Sequence, residues 1–233
     1  MIPFASTVLA LAFVVAGALS GIAMYPPNAP PVTGFKKDRI LWLTGFLPKL
    51  GTNVTVVVFL YHALVALFFP GGGDTLSTVC PHADHLNAQF FTWSLRTGTS
   101  LLLVFVGGII RIIAYGGLGP NFTFELAAPD RLVTGGIYRF VQHPSYTGLG
   151  LVIMGALSLC YRRETAVVAC SMPDAIFYGL QELSGLAPLV GGVVAFSLFA
   201  IRVRDEEMML KERFGKEWER WHRRTARFVP WIL

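Results

Sequence analysis

The sequence is poor in charged residues, and this scarcity excludes an ordinary soluble domain. Only 14% of the 233 residues are Asp, Glu, Lys or Arg, whereas soluble domains usually carry about 25%. Hydrophobic residues make up 54% of the chain, and residues 1–35 contain no charged side chain. This composition predicts an all-α fold, a polytopic membrane helical bundle in which residues 1–233 form a single membrane domain.

Sequence signals for disulfide scaffolds, dinucleotide binding and repeat architectures are also missing. The cysteines are Cys80, Cys160 and Cys170, and their odd number and lack of CxxC spacing argue against a disulfide framework. The glycines of residues 116–119 lack the GxGxxG spacing and follow an apolar run, which argues against a dinucleotide-binding fold. No repeat of about 20 to 50 residues is visible. A second domain is therefore not expected.

Metal and nucleic-acid partners are not expected either. Residues 80–85 read Cys-Pro-His-Ala-Asp-His, but these ligand types are crowded together and the sequence shows no second half of a site. A polar loop is the preferred interpretation. The net charge of +5 and the basic C-terminal tail could suggest nucleic acid. Beside so much apolar sequence, the tail instead indicates the cytosolic flank of a membrane span.

Long apolar runs predict about five transmembrane helices, because a helix needs about 20 apolar residues to cross a bilayer. The predicted spans are 2–25, 51–69, 97–115, 144–161 and 183–201. The first could instead be a cleaved signal peptide, but it lacks a basic start and is longer than a typical signal, which favours a retained span. Residues 165–181 are also apolar, and the Pro173–Asp174 pair in their middle favours a loop or a re-entrant segment.

Positive charge predicts the orientation of these spans. With five spans, the loop after the first span, the loop after the third and the C-terminal tail lie on one side, and these segments are the basic ones. That side is therefore predicted to be cytosolic, although Arg162 and Arg163 fall on the other. Arg111, late in the third span, is expected to snorkel to the interface or to face the protein interior.

Two polar clusters lie at the ends of late spans. The first, residues 135–148, contains glycines, tyrosines, an arginine and a histidine, which need hydrogen-bond partners at a membrane boundary. It could simply be a loop in which Pro144 starts a helix. In the second, Arg202 and Glu206 are four residues apart and share a helix face. That cluster could be no more than a juxtamembrane helix with ion pairs.

A C-terminal amphipathic helix is predicted after the second cluster. Its apolar residues recur at helical spacing, and its tryptophans suit the level of the lipid headgroups. The residues are Leu210, Phe214, Trp218 and Trp221.

Taken together, the two clusters predict one pocket on the cytosolic side. A carboxylate, an arginine, aromatic rings and a histidine can hold a zwitterionic cofactor such as S-adenosyl-L-methionine.

At these residues the chain resembles the isoprenylcysteine carboxyl methyltransferase family, within the wider group that includes phospholipid N-methyltransferases. The resemblance covers roughly residues 120–233, and the His-Pro-Ser-Tyr block followed by the Glu-Glu pair is its most specific part. The matching residues are 132–138 (Leu-Val-Thr-Gly-Gly-Ile-Tyr), 143–148 (His-Pro-Ser-Tyr-Thr-Gly), Arg202, Glu206, Glu207, Phe214, Gly215 and Pro230.

The resemblance implies an endoplasmic-reticulum membrane enzyme, a protein-S-isoprenylcysteine O-methyltransferase with its C-terminal tail and catalytic pocket facing the cytosol. It would transfer a methyl group from S-adenosyl-L-methionine to the C-terminal carboxylate of prenylated CaaX-type proteins. Residues 1–118 would form N-terminal spans, and residues 119–233 the cofactor-binding catalytic part. Arg202 would be catalytic and would bind the substrate. The cofactor would be held by Leu132, Val133, Tyr138, His143, Pro144, Ser145, Tyr146 and Glu206.

Other functions stay open beside this one. The chain departs from the family pattern at Gln142, at Trp218 and in a shorter loop after residues 122–124, which bears on substrate choice. A phospholipid amine N-methyltransferase would need a general base, for which His143 or Glu207 are candidates. A membrane sterol reductase using NADPH and a non-enzymatic scaffold or transporter are the further alternatives. For a carboxylate acceptor no base is needed, because that group is already ionised at neutral pH.

Overall fold

The uncharged runs of the sequence become long helices in the computed structural model of the protein. The structure describes residues 2–29, 34–44, 46–71, 73–179 and 186–230. Within those ranges the regular secondary structure is helical, with one isolated bridge between Val141 and Ala226, so the predicted all-α class is confirmed. The helices are α1 (Phe4–Met24), α2 (Leu41–Thr44), α3 (Phe46–Phe68), α4 (Asp74–Val79), α5 (Leu95–Leu118), α6 (Pro144–Cys160), α7 (Ala166–Ser171), α8 (Asp174–Gly179), α9 (Leu186–Phe214) and α10 (Lys216–His222).

Three stretches of the described chain are long and apolar enough to cross a membrane. They are α1, α3 and the stretch Ala88–Asn121 that contains α5. Helix α6 has 17 residues and is shorter. The start of the predicted fifth span, 183–185, lies outside the described residues. A multi-pass membrane protein is therefore supported, and the predicted count of five spans is not confirmed.

The helices alternate in direction, which separates two ends of the bundle. Helices α1 and α3 are antiparallel, since Gly17 lies beside Phe59 and Gly21 beside Val56. Helix α5 runs parallel to α1 and antiparallel to α6. The starts of α3 and α6 therefore share one end with the ends of α1 and α5, which we call the polar end. The opposite end is called the disulfide end, for the reason that follows.

A disulfide joins the segments that follow α3 and α6. Cys80 and Cys170 are bonded, and Cys160 is a buried free thiol. The prediction against a disulfide was wrong because the pairing cysteines lie 90 residues apart, a distance that only the antiparallel helices close. Residues 165–181 were predicted to form a loop or a re-entrant segment; over residues 165–179, α7 and α8 have six residues each and are too short to cross a bilayer, as that prediction requires.

The C-terminal region differs from the single amphipathic helix that the sequence predicts. Helix α9 continues unbroken from its apolar half through Arg202 to Phe214, and Gly215, with a φ of +50°, separates it from α10. Trp218 is buried against the protein and stacks on His222 at 4.3 Å between ring centroids. The Trp218 ring is therefore covered by protein, and its expected place at the level of the lipid headgroups stays a prediction.

Close contact between α5 and α6 depends on glycines. A Cβ atom at Gly107 would lie 2.6 Å from the carbonyl oxygen of Gly148, and one at Gly155 would lie 2.6 Å from that of Ser100. Small residues allow helices in membranes to approach until their backbones touch. This approach brings Arg111 on α5 next to the start of α6.

We expect Gly155→Ala to destabilise the protein, because the added methyl group meets backbone atoms that cannot move aside. Overpacking of this kind costs roughly 1–3 kcal/mol. A Cβ atom added at Gly150, on the same helix, would meet no other atom within 4 Å, so Gly150→Ala is the matched control and should be neutral or stabilising. Thermal unfolding of the two variants in detergent tests the packing; equal midpoints would contradict it.

Candidate active site

A cavity of about 360 Å³ lies at the polar end of the bundle. It is walled by the end of α5, the loop from α5 to α6, the start of α6 and the second half of α9. All nine predicted site residues line it, so the structure brings together the two clusters that the sequence separates by more than fifty positions. These residues are Leu132, Val133, Tyr138, His143, Pro144, Ser145, Tyr146, Arg202 and Glu206.

The first cluster is held in place by the C-terminal tail. The backbone N–H groups of Gln142 and His143 donate to the carbonyl oxygens of Ala226 (2.8 Å) and Arg227 (2.9 Å). The Gln142 side-chain amide also donates to the Thr225 carbonyl. These bonds fix the segment that enters α6 at Pro144, which occupies the first turn, where its missing N–H costs nothing.

Tyr138 reaches the cavity from a single 3-10 turn, Gly136–Arg139, that begins at a glycine with a φ of +58°. Its hydroxyl donates to the carbonyl oxygen of Ala114 at 3.1 Å. Burial raises the pKa of Tyr138 far above its ordinary value, and the nearby Glu206 carboxylate adds to the effect. The phenol is therefore a neutral donor and ring surface at physiological pH.

His143 lies between the two glutamates of α9. Its Nε2 atom is 3.4 Å from Glu207 Oε1, and its Nδ1 atom is 3.8 Å from Glu206 Oε1. Arg227 holds Glu207 with contacts of 2.9 and 3.1 Å. Burial alone would raise the pKa of Glu207, but the hydrogen bond with His143 and the charge of Arg227 lower it on balance. Glu207 is thus an ionised anchor for His143.

Glu206 is one of two glutamates that line the cavity; the other is Glu125. In the ranges that the structure describes, no lysine or arginine lies within 4.0 Å of its oxygens, and His143 Nδ1, which faces it, is buried without a hydrogen-bond partner. A quarter of the Glu206 side chain, 24%, is exposed, and the residue lines the cavity. A cationic group in the cavity would find this carboxylate available.

Arg202 does not pair with Glu206, although the two residues share a helix turn. Its guanidinium forms a 2.6 Å ion pair with Asp38 and donates to the carbonyl oxygen of Phe124. The side chains of Arg202 and Asp38 are only 7% and 1% exposed. One position before Glu206, Asp205 accepts from Arg39 at 2.7 Å. The first loop of the chain is therefore fastened to the last long helix beside the cavity.

Arg111 is a second guanidinium of the cavity, and the sequence analysis gave it no role in the site. The residue faces the protein interior, which is one of the two placements expected from the sequence. Its guanidinium donates to the backbone oxygen (2.9 Å) and the hydroxyl (2.8 Å) of Ser145. The rings of Tyr115 and Phe124 lie 5.1 and 5.6 Å from its guanidinium carbon. Among the described residues no carboxylate pairs with Arg111, so an anionic ligand would neutralise it.

Comparison with known proteins gives a family match that overlaps part of the cavity. Residues 100–183 match the model of the "Isoprenylcysteine carboxyl methyltransferase (ICMT) family". Over these residues the chain is similar to that family. The resemblance predicted from the sequence is thereby confirmed, although the matched range begins earlier than expected and ends before α9. The roles of Arg202 and Glu206 therefore rest on the geometry of the cavity.

Relatives in plants and animals carry matching names. A rice protein (Oryza sativa subsp. indica), named "Probable protein-S-isoprenylcysteine O-methyltransferase", is 26% identical over 136 residues, which are 57% of this chain and 60% of that protein. Protein-S-isoprenylcysteine O-methyltransferase A of Arabidopsis thaliana is 29% identical over 57% of this chain and 58% of its own length. The Homo sapiens protein-S-isoprenylcysteine O-methyltransferase is 28% identical over 86% of this chain and 59% of its own length. The chain thus spans about three fifths of these relatives.

Sequence reasoning missed Asp38, Arg111 and Trp221 as parts of the site. Trp221 lines the cavity and its indole N–H donates to the carbonyl oxygen of Tyr138 at 3.0 Å. An arginine late in an apolar span was the available signal for Arg111. For Asp38, the signal was one acid among the basic residues of the first loop, but its partner is 164 positions away.

We expect Asp38→Asn to destabilise the protein strongly, because it leaves the buried Arg202 charge uncompensated. Breaking a buried ion pair from one side costs about 3 kcal/mol or more. The matched control is Glu212→Gln, which breaks the exposed 2.5 Å pair between Lys37 and Glu212 that joins the same two elements. Unfolding in detergent measures both variants, and a similar loss in each would show that burial of the Asp38 pair is unimportant.

Proposed function

We propose that this protein transfers a methyl group from S-adenosyl-L-methionine to the C-terminal carboxylate of prenylated cysteine in proteins. The observation that carries the proposal is the cavity in which both polar clusters meet, lined by three arginines (Arg111, Arg131 and Arg202), two glutamates (Glu125 and Glu206) and aromatic and aliphatic side chains. The similarity to the isoprenylcysteine carboxyl methyltransferase family supports the same reaction.

The residues present fit the cofactor. Its ammonium and sulfonium groups need a carboxylate and aromatic faces, which Glu206, Tyr146 and Trp221 provide. The unpartnered Nδ1 of His143 is a further polar contact for a ligand at this wall. When bound, S-adenosyl-L-methionine supplies an electrophilic methyl group. Leu132, Val133, Pro144 and Ser145 line the same cavity and exclude water from it.

In this proposal Arg111 and Arg202 bind different anionic groups. Arg111 contacts Ser145, within the block proposed to bind the cofactor, and would neutralise the carboxylate of the cofactor. Arg202 lies on the α9 wall and would orient the substrate carboxylate. Because Asp38 already pairs with Arg202, the guanidinium can hold the substrate without quenching its nucleophilic oxygen. The acceptor attacks as the carboxylate, so no proton needs to be removed.

The prenyl chain has an apolar path into the cavity. Leu149 and Ile153 of α6 and Leu198 and Phe199 of α9 line the wall that continues into the membrane-embedded part of the bundle. Nearer the start of α9, apolar side chains such as Val193 are exposed, as expected for a surface in contact with lipid. Entry between α6 and α9 would bring a lipid-anchored peptide end to a charged cofactor without exposing the prenyl group to water.

The cavity would face the cytosol of a multi-pass protein in the endoplasmic reticulum membrane. Lys37 and Arg39 lie at the polar end, as the positive-inside rule requires of a cytosolic face. The disulfide at the other end gives independent support, because disulfides persist in oxidising compartments such as the lumen. Residues 119–233 would supply most of the catalytic part, with Asp38 and Arg111 added from the N-terminal spans.

A lipid amine is the second acceptor to consider, and Glu207 makes it less favourable. A general base works best when its pKa lies near the working pH, whereas the pKa of Glu207 is lowered and its oxygens are held by Arg227 and His143. A carboxylate acceptor needs no such base. The site therefore favours esterification over an N-methylation that would use Glu207 as its base.

We expect purified protein to form a base-labile methyl ester on N-acetyl-S-farnesylcysteine in the presence of S-adenosyl-L-methionine. Glu206→Gln should lower kcat/KM about 100-fold, since it removes a charge that pairs with the cofactor in a desolvated site. Glu217→Gln, on the exposed side of α10, is the control. Cofactor binding without ester would indicate a lipid amine acceptor, and folded protein that binds no cofactor would overturn methyl transfer.

We expect substitutions of Arg111 and Arg202 to change different binding parameters. Arg111→Gln should weaken S-adenosyl-L-methionine binding about tenfold or more while leaving the KM for the farnesylcysteine acceptor little changed. Arg202→Gln should raise the KM for the farnesylcysteine acceptor and leave S-adenosyl-L-methionine binding little changed. Calorimetric titration of the cofactor and initial rates measure the two effects, with thermal unfolding to confirm folding. If both substitutions raise only the acceptor KM, Arg111 does not bind the cofactor.

A further inference from the structure

Two histidines and an aspartate meet at the disulfide end, away from the cavity. His82 and His85 lie between α4 and α5, and Asp174 starts α8. His85 Nε2 is 3.1 Å from Asp174 Oδ1, His82 Nδ1 is 3.8 Å from the same oxygen, and one ligand atom from each residue lies within 4.8 Å of the others. Ligands about 2.1 Å from one tetrahedral ion lie about 3.4 Å apart, so binding of an ion would draw the wider-spaced members of this cluster together.

The hydrogen bonding of His85 leaves one nitrogen directed at Asp174 without a partner. His85 Nδ1 lies 3.3 Å from the carbonyl oxygen of Ala169, which can only accept, so Nδ1 carries the proton. In the neutral ring, Nε2 then presents a lone pair. That atom is buried, and its approach to Asp174 Oδ1 is not in hydrogen-bond geometry, so within the described chain it has no partner. A lone pair facing a carboxylate oxygen is repulsive unless a metal cation, or a second proton on the imidazole, lies between them.

The residues around His85 hold its ring and the neighbouring ligands in place without an ion. The Phe177 ring stacks on His85 at 3.9 Å with an interplanar angle of 4°, and His82 stacks on His85 at 5.4 Å. The Cys80–Cys170 disulfide joins the segment that carries both histidines to the one that leads to Asp174. A carbonyl oxygen that holds the far nitrogen of a histidine is the usual support of a metal-bound imidazole.

We propose that His82, His85 and Asp174 bind a divalent transition-metal cation, with Zn²⁺ as the ion of choice. Two imidazole nitrogens and one carboxylate oxygen suit Zn²⁺ and disfavour Ca²⁺ and Mg²⁺, which take oxygen ligands. Asp84, whose carboxylate is 3.8 Å from His85 Nε2, offers a fourth ligand. His82 and Asp174 are partly and largely exposed, so the ion can enter from solvent.

The structure supplies what the sequence lacked for this site. Residues 80–85 alone hold too few ligands in too short a loop, and the missing ligand comes from the segment after α6. Because the site lies at the end of the bundle opposite the cavity, the ion joins two loops and takes no part in methyl transfer. It reinforces, beside the disulfide, the same connection between the segments that follow α3 and α6.

Titration of ZnCl₂ into EDTA-treated, full-length protein in detergent tests the proposal. We expect saturable binding of one Zn²⁺ per chain, weakened at least about tenfold by Asp174→Asn and by His82→Ala, since loss of an indirect support already costs that much. Asp74→Asn, an exposed aspartate at the same end, is the matched control and should bind as the unmodified protein does.

Thermal unfolding provides the second measurement. Zn²⁺ should raise the unfolding midpoint of the unmodified protein and of Asp74→Asn, because a ligand of the native state stabilises it, and should not raise that of Asp174→Asn. Absence of saturable binding to folded protein would show that the three residues form only an ion pair. Equal Zn²⁺ affinity in Asp174→Asn and the unmodified protein would place the ion elsewhere, for example at His143 and Glu206, and would also overturn the proposal.

Discussion

The buried guanidinium of Arg202 sets the constraint on which the polar end depends. A charge in an apolar helical bundle must be paired and hydrogen-bonded, because an unpaired one costs several kcal/mol. The chain meets this requirement by bringing Asp38 and the Phe124 carbonyl from two separate loops to one helix. Those loops are thereby held over the ends of α1 and α5 and form the cavity walls. The same contacts therefore stabilise the fold and set the geometry of the cavity.

Arg111 shows the complementary arrangement, in which a charge is kept ready for a ligand. It is anchored by Ser145 and surrounded by aromatic rings, and within the described chain it has no carboxylate partner. A guanidinium of this kind stores part of the free energy that an anionic ligand releases on binding. The close α5–α6 packing at Gly107 and Gly148 is what allows this side chain to reach the start of α6.

The parts of this protein that the sequence predicts are those with local causes. Uncharged runs predict α1, α3, α5 and α6 to within a few residues, the polar clusters predict a common pocket, and the family resemblance implies nine residues that do line one cavity. The failures involve distant partners. Nothing near Cys80 indicates Cys170, nothing near Asp38 indicates Arg202, and the first loop of the chain gives no sign that it covers a site built mainly by the last hundred residues. The single C-terminal helix was predicted because the helical spacing continues past Phe214, whereas Gly215 ends α9 there.

The bonds from Gln142 and His143 to Ala226 and Arg227 have a consequence for biosynthesis. The backbone partners that hold the entrance to α6 belong to residues translated some eighty positions later. While the ribosome is still adding α9 and α10, the membrane helices can insert and pack, but Gln142 and His143 still lack these backbone partners. This wall of the cavity is therefore completed only after Arg227 has emerged from the ribosome.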